Sequence, residues 1–136
     1  MILVDSNVIL DAFEPGAIWH DWSSQALIRA AGDEPFINPI VAAEVGVRVR
    51  SEEELADALG RLALPVVEMT LRCSWLAGRA HLEWIRNGGR RGALLSDIII
   101  GAHAVAEKAS VLTRDPRRFR TYFPELELMT PESGDA

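Results

Sequence analysis

The sequence predicts an α/β domain with a mostly parallel central sheet. Short apolar runs alternate along the chain with longer segments of helical periodicity, which is the pattern of strands connected by crossover helices. Clear helix-start signals follow several of the runs, as at Asn38-Pro39, where a capping residue precedes proline at the first helical position. The length, 136 residues, suits one domain.

Met1–Val4 is a continuous apolar run, long enough for a buried strand. Ser6 or Asn7 can cap the helix that follows, in which Val8, Ile9, Ala12 and Phe13 recur on one face. Glu14-Pro15-Gly16 breaks that helix. From Ala17 to Ala31 the apolar positions Ile18, Trp19, Trp22, Ala26, Leu27 and Ala30 fit a second helical stripe. Pro35-Phe36-Ile37 reads as a strand, and the helix begun at Asn38-Pro39 carries Glu44 in its second turn. Ser51 with Glu54 forms a capping box for a helix running to about Ala63.

Pro65–Met69 reads as a third strand, and Thr70 caps a long helix that stops at Asn87-Gly88-Gly89. Ser96 is the expected cap of a helix over Asp97–Lys108, apolar nearly all round and therefore central. Ala109–Thr113 is a strand, Asp115-Pro116 opens a turn, and Leu126–Met129 alternates as an edge strand does. A single domain over 1–130 with a loose tail over 131–136 is the expected organisation.

An apolar content of 49% and a charged content of 25% are ordinary for a globular protein with a real core. One cysteine, Cys73, excludes an intramolecular disulfide and suits a reducing cytoplasm, with the thiol read as a small buried hydrophobe. No stretch is long enough to span a membrane, and Met1-Ile2-Leu3-Val4 lacks the basic start of a signal peptide. The expectation is therefore a cytoplasmic protein with no membrane partner. Net charge is −6, but it is unevenly spread. Residues 86–120 carry eight Lys or Arg against three acids, whereas 1–85 and 121–136 are both acidic. A local basic segment inside an acidic chain suits a phosphate-bearing partner; a solvated arginine surface is the plainer alternative.

Four acids carry the chemistry: Asp5, Glu44, Asp97 and Asp115. Each falls at or near a strand end or helix start within an apolar stretch, where a carboxylate is either paired or bound to a cation. In an α/β sheet, sites lie outside the carboxyl ends of the strands, and Asp5 and Asp115 follow two strands on the same edge. Oxygen donors suit Mg²⁺ or Mn²⁺, which can activate water beside a phosphodiester and neutralise its charge. Each acid also has a plain structural reading. Asp5 can cap a helix, Glu44 can pair with Arg48, Asp97 can answer a helix dipole, and Asp115 can be a turn residue. Arg114, Arg117, Arg118 and Arg120 follow closely and could grip phosphates flanking a scissile bond. No Ser-His-Asp or Cys-His set is apparent. The scattered His20, His81 and His103 read as structural or surface residues, and the helically spaced Trp19, Trp22, Trp75 and Trp84 as packing residues.

The chain resembles the PIN-domain ribonucleases, in particular the VapC toxins of bacterial type II toxin–antitoxin systems. The resemblance rests on Met1–Val8, on Glu44 after Asn38-Pro39, on Leu95–Ala104 around Asp97, and on Leu112–Phe119 around Asp115. It implies an α/β/α sandwich in which the four acids form the pocket, with Asp5 and Asp97 the most direct metal ligands. It further implies that Thr113 orients Asp5, that Asn7 lines the pocket, and that a homodimer cuts RNA endonucleolytically under control of a cognate antitoxin. Three other readings compete. One is a catalytically silent domain that binds a partner or RNA. The second is a PIN nuclease of RNA maturation. The third is another carboxylate-and-metal phosphotransfer protein, which Asn7 disfavours for a haloacid-dehalogenase-like phosphatase because a second aspartate belongs there.

Overall fold

The computed structural model describes residues 1–90, 92 and 94–133. Arg91, part of the basic segment, and residues 134–136 of the expected tail lie outside the described residues. Four parallel strands form one sheet in the order β2-β1-β3-β4. They are β1 (Ile2–Val4), β2 (Pro35–Phe36), β3 (Ser110–Leu112) and β4 (Leu128–Met129). Helices α1 (Ser6–Ala12) and α2 (His20–Ala30) connect β1 to β2. Helices α3 (Pro39–Gly46), α4 (Glu52–Arg61), α5 (Leu71–Arg86) and α6 (Ser96–Glu107) lead to β3, and α7 (Arg117–Tyr122) leads to β4. The α/β class with a parallel sheet flanked by helices is borne out.

The central strands are buried on both sides. Leu3, Val4, Val111 and Leu112 are fully enclosed, as all-parallel pairing requires. Burying each such side chain contributes roughly 1.5–3 kcal/mol. The capping signals also hold for three helices. Asn38 accepts from the Val41 amide, Ser51 from that of Glu54, and Thr70 from that of Cys73. The reciprocal bond of Glu54 goes to the Arg50 amide, one residue before the cap.

Three expectations are corrected. Pro65–Met69 does not form a strand. Only Val66 bridges Ile37, through Ile37 N–H to Pro65 and Val67 N–H to Ile37. Pro65 has no amide to extend the ladder, and Val66 is half exposed, so little burial drives further pairing. The helix expected from Ala17 starts at His20, because Ala17 and His20 close successive turns behind Glu14. Ser96 does not cap α6; Leu95 takes the cap position, and the Ser96 hydroxyl is used elsewhere. At the C-terminal end, Pro131–Ser133 form a 3-10 turn, and Glu132 pairs with Arg120.

A second apolar cluster joins α5, α6 and α7 through Cys73, Ala77, Ala80, Ile98, Ala102 and Phe123. Gly101 makes this approach possible. A Cβ there would stand 2.4 Å from the Phe123 ring, inside any tolerable distance. The close packing fixes how α6 lies against α7, and so where Asp97 stands relative to the residues after β3. Cys73 is buried, as expected of a small hydrophobe. Trp22 and Trp84 pack against the two clusters, whereas Trp19 and Trp75 are exposed, the latter beneath the Arg79 guanidinium. His103 is buried edge-on to Phe36 and His81 stacks on Trp84.

Candidate active site

Parallel register builds the centre of the site. Val4 and Leu112 are partners across β1 and β3, so the residues that follow them, Asp5 and Thr113, leave the sheet side by side. Asp5 N–H still donates to Leu112, which carries the pairing one step past the strand. The Thr113 hydroxyl donates to Asp5 Oδ2 at 2.8 Å. Having spent its one proton there, it accepts from the Asp115 amide at 3.1 Å and from Asn7 Nδ2 at 3.3 Å. Asn7 Nδ2 also donates to Asp5 Oδ2 at 3.3 Å. Asp5 Oδ1 accepts from the Ser6 amide, so Asp5 caps α1, in place of the expected Ser6 or Asn7.

Glu44, in the last turn of α3, does not pair with Arg48. Its two oxygens accept from two serine hydroxyls, Ser6 at 3.0 Å and Ser96 at 3.2 Å. Ser6 opens α1 and Ser96 opens α6, so Glu44 ties the starts of two helices together. Both serines read in the sequence as cap candidates. No local signal gives their pairing with a carboxylate 38 and 52 positions away.

Asp97 and Asp115 have charged partners. Arg118 Nη1 lies 3.2 Å from Asp97 Oδ2. Arg117 meets both oxygens of Asp115, at 3.1 and 3.3 Å. These four side chains line a cleft of about 190 Å³. Among the other arginines expected to face phosphate, Arg120 is bound to Glu132 and Arg114 to Asp11. Asp11 does not stand out in the sequence, where it looks like a polar position near the end of an amphipathic helix. It is nearly buried.

The electrostatics separate these acids. Asp5 is only 4% exposed, and burial pushes its carboxyl up to about 7 from 3.8. The Thr113 bond opposes that rise, while the nearby charges of Asp97 and Glu44 add to it. Asp115 moves the other way, held below the usual carboxylate range by its hydrogen bonds from Arg117. Among the described residues, no three acidic, histidine or cysteine side chains converge closely enough to hold an ion as they stand. The donor chemistry nevertheless fits a hard cation. All four candidates are oxygen ligands, Asp5 is buried without a cationic partner among the described residues, and guanidinium groups rest on the two outer acids.

Beyond the carboxyl ends of the central strands is where open parallel α/β sheets bind their ligands, and the four carboxylates gather there. The PIN domain family matches residues 2–124, and the chain belongs to that family. Similar solved structures include VapBC2 from Rickettsia felis bound to a promoter DNA fragment, at 25% identity and a TM-score of 0.71, covering 96% of this chain and 98% of that one. FitAcB from Neisseria gonorrhoeae is similar at 20% identity and 0.69, covering 97% and 99%. DNA-bound VapBC from Salmonella typhimurium is similar at 19% and 0.69, covering 95% and 96%. The last two likenesses speak to the fold. No curated protein sequence matches the chain. The resemblance read from Met1–Val8, Leu95–Ala104 and Leu112–Phe119 is borne out by the family match and these neighbours. Among the described residues no helix is long and apolar enough to cross a membrane.

Proposed function

We propose that the protein is a metal-dependent endoribonuclease that hydrolyses RNA phosphodiester bonds, and the toxin of a type II toxin–antitoxin pair. The observation that carries this reading is the Asp5 carboxyl, without a cationic partner among the described residues, its pKa raised by burial and further by the charges of Asp97 and Glu44. Such a group gains most from a divalent ion, since burial without a counter-charge is its largest penalty. Asp5, Asp97 and Asp115, with Glu44, would hold Mg²⁺ or Mn²⁺. When bound, the ion lowers the pKa of the attacking water and neutralises charge on the phosphate oxygens.

The remaining steps belong to the chain's own residues. Thr113 and Asn7 keep Asp5 Oδ2 in place, and Ser6 and Ser96 do the same for Glu44. Preset orientation spares the reaction any reorganisation of these groups. A carboxylate of the set accepts the proton of the water. Arg117 and Arg118, exposed at the rim of the cleft, exchange their carboxylates for phosphates of the RNA. Phosphate contacts of this kind position the strand, and base contacts select it.

The VapBC and FitAB neighbours support an antitoxin partner for this chain, and the family resemblance supports a homodimer acting in the cytoplasm. Sedimentation of the chain alone and with the product of an adjacent small gene tests both.

Purified protein should cut total bacterial RNA with Mg²⁺ or Mn²⁺ and not with EDTA, and Asp5→Asn and Asp97→Asn should each abolish cutting. Folded protein that does not cut would replace this reading with a silent, partner-binding domain, and cutting that survives both substitutions would assign the activity to a contaminating nuclease.

A further inference from the structure

We propose that Asp11 and Arg114 are a positioning pair for the acidic site, acting on Asp5 through the side-chain amide of Asn7. The proposal rests on the metal-site reading for its affinity readout, and on geometry alone for its structural one.

Asn7 and Asp11 are four residues apart in α1 and therefore share a face. Arg114, the residue between Thr113 and Asp115, lies along that face and touches both. Its backbone N–H donates to Asn7 Oδ1 at 3.4 Å. Its guanidinium meets Asp11 side-on, through Nε to Oδ2 and through Nη2 to Oδ1. The Ser23 hydroxyl from α2 donates to Asp11 Oδ2, and the His20 ring nitrogen Nδ1 sits 2.9 Å from the Asp11 carbonyl. The Asp11 side chain is 10% exposed and that of Arg114 34%. The Asp11 carboxylate is thus largely removed from water, where an unpaired charge is costly, and the two-point contact with the partly exposed Arg114 holds it in one orientation.

The consequence for the site is directional. An asparagine amide has an acceptor end and a donor end. Because Oδ1 is taken by the Arg114 N–H, Nδ2 faces Asp5 Oδ2 and Thr113 Oγ1, the two atoms it bonds. If the chain after Thr113 drifted from α1, Asn7 would be without the hydrogen bond that sets which way it faces. Asp5 would then be short of one of its two donors at Oδ2, and Thr113 of a neighbour. Arg114 is accordingly assigned to Asp11 and not to phosphate, in contrast to Arg117 and Arg118 at the rim.

The test compares wild type with Asp11→Asn, Arg114→Gln, the double variant and Arg114→Lys. Two quantities are read: the resonances of the Asn7 side-chain amide, and Mn²⁺ affinity by electron paramagnetic resonance well below every melting midpoint. Loss of the pair should move the Asn7 amide protons to solvent-like shifts and faster exchange. It should weaken Mn²⁺ binding by about 10-fold or more, the usual effect of removing a group that orients a metal ligand. The double variant should be no worse than Arg114→Gln alone, since the two residues act as one unit. Arg114→Lys, which keeps the charge without the fork, should fall between. Should Arg114→Gln fail to fold, the near-isosteric Asp11→Asn decides the matter. A lowered melting midpoint with unchanged Asn7 resonances and unchanged Mn²⁺ affinity would reduce the pair to a fold stabiliser. Wild type that binds no Mn²⁺ would instead overturn the metal-site reading, while the Asn7 resonances still decide the positioning claim.

Discussion

Asp5 and Glu44 are held by neutral donors, whereas Asp97 and Asp115 are held by arginines. Thr113, Asn7 and the Ser6 amide fix Asp5, and two serine hydroxyls fix Glu44, all without supplying positive charge. Arg118 and Arg117 sit on Asp97 and Asp115 at the open side of the site. Neutral donors orient a carboxylate and leave its charge to be answered by something else. Exposed guanidinium groups do answer the charge, but on long, solvated side chains that exchange partners readily. Under the proposed metal-dependent reading, the inner half would receive the cation, and the outer half would be opened by it.

The contrast can be broken in order of expected effect. The largest concerns Asp5 in metal-free protein. Its folded pKa of about 7 lies above the ordinary 3.8, so the folded state holds the proton more tightly than the unfolded chain. The stability this group contributes is full below the ordinary value and is lost as pH rises through about 7. Asp5→Asn removes that penalty and should stabilise the EDTA-treated protein at pH above it by up to about 4 kcal/mol, with no gain at low pH. Urea titrations across this range check it; parallel pH curves for the two proteins would mean that Asp5 is ionised in the fold without penalty.

Next comes Thr113→Val, which keeps shape and removes the hydroxyl shared by Asp5, Asn7 and the Asp115 amide. Mn²⁺ affinity should fall by roughly 10–100-fold with the fold intact, as measured by calorimetry. An unchanged affinity would show that the inner acids need no such holder.

The smallest effect on the fold is expected from Arg117→Ala and Arg118→Ala. Unfolding midpoints should barely move, because exposed ion pairs contribute little. Mn²⁺ affinity should hold or rise, since a competing cation is gone. RNA affinity should drop, and the slope of binding against salt should lessen by about one unit for each phosphate no longer gripped. Weaker Mn²⁺ binding in either variant would erase the distinction between the two halves, by showing that the arginines position the acids.

The readable parts of the site are those tied to backbone pattern. Asp5 stands out because a buried apolar run ends on it; Thr113 is named only through the family resemblance, and the parallel register of β1 and β3 is what sets it beside Asp5. Glu44 and Asp97 are visible as acids inside apolar helices. Their partners are not. Ser6 and Ser96 each look sufficient as a cap, which hides that both turn to Glu44. Arg114 looks like one more member of a basic run until it is found on Asp11. The false strand at Pro65–Met69 has a similar origin. Its apolar composition is right for a strand, but the sheet offers it only a single bridge at Ile37.

The sequence by itself determined the α/β class, the positions of the helix starts at Asn38, Ser51 and Thr70, and which four acids follow or enter the sheet edge. Those features depend on dihedral preferences and apolar periodicity over a few residues, and such signals are local. Only the tertiary structure decided which hydroxyl or guanidinium each carboxylate receives. Asp11 and Arg114 are 103 positions apart, and Asp5 and Thr113 are 108 apart. Pairing over that span is set by strand register and by how closely helices such as α6 can pack at Gly101, and neither quantity is written in any short stretch of chain.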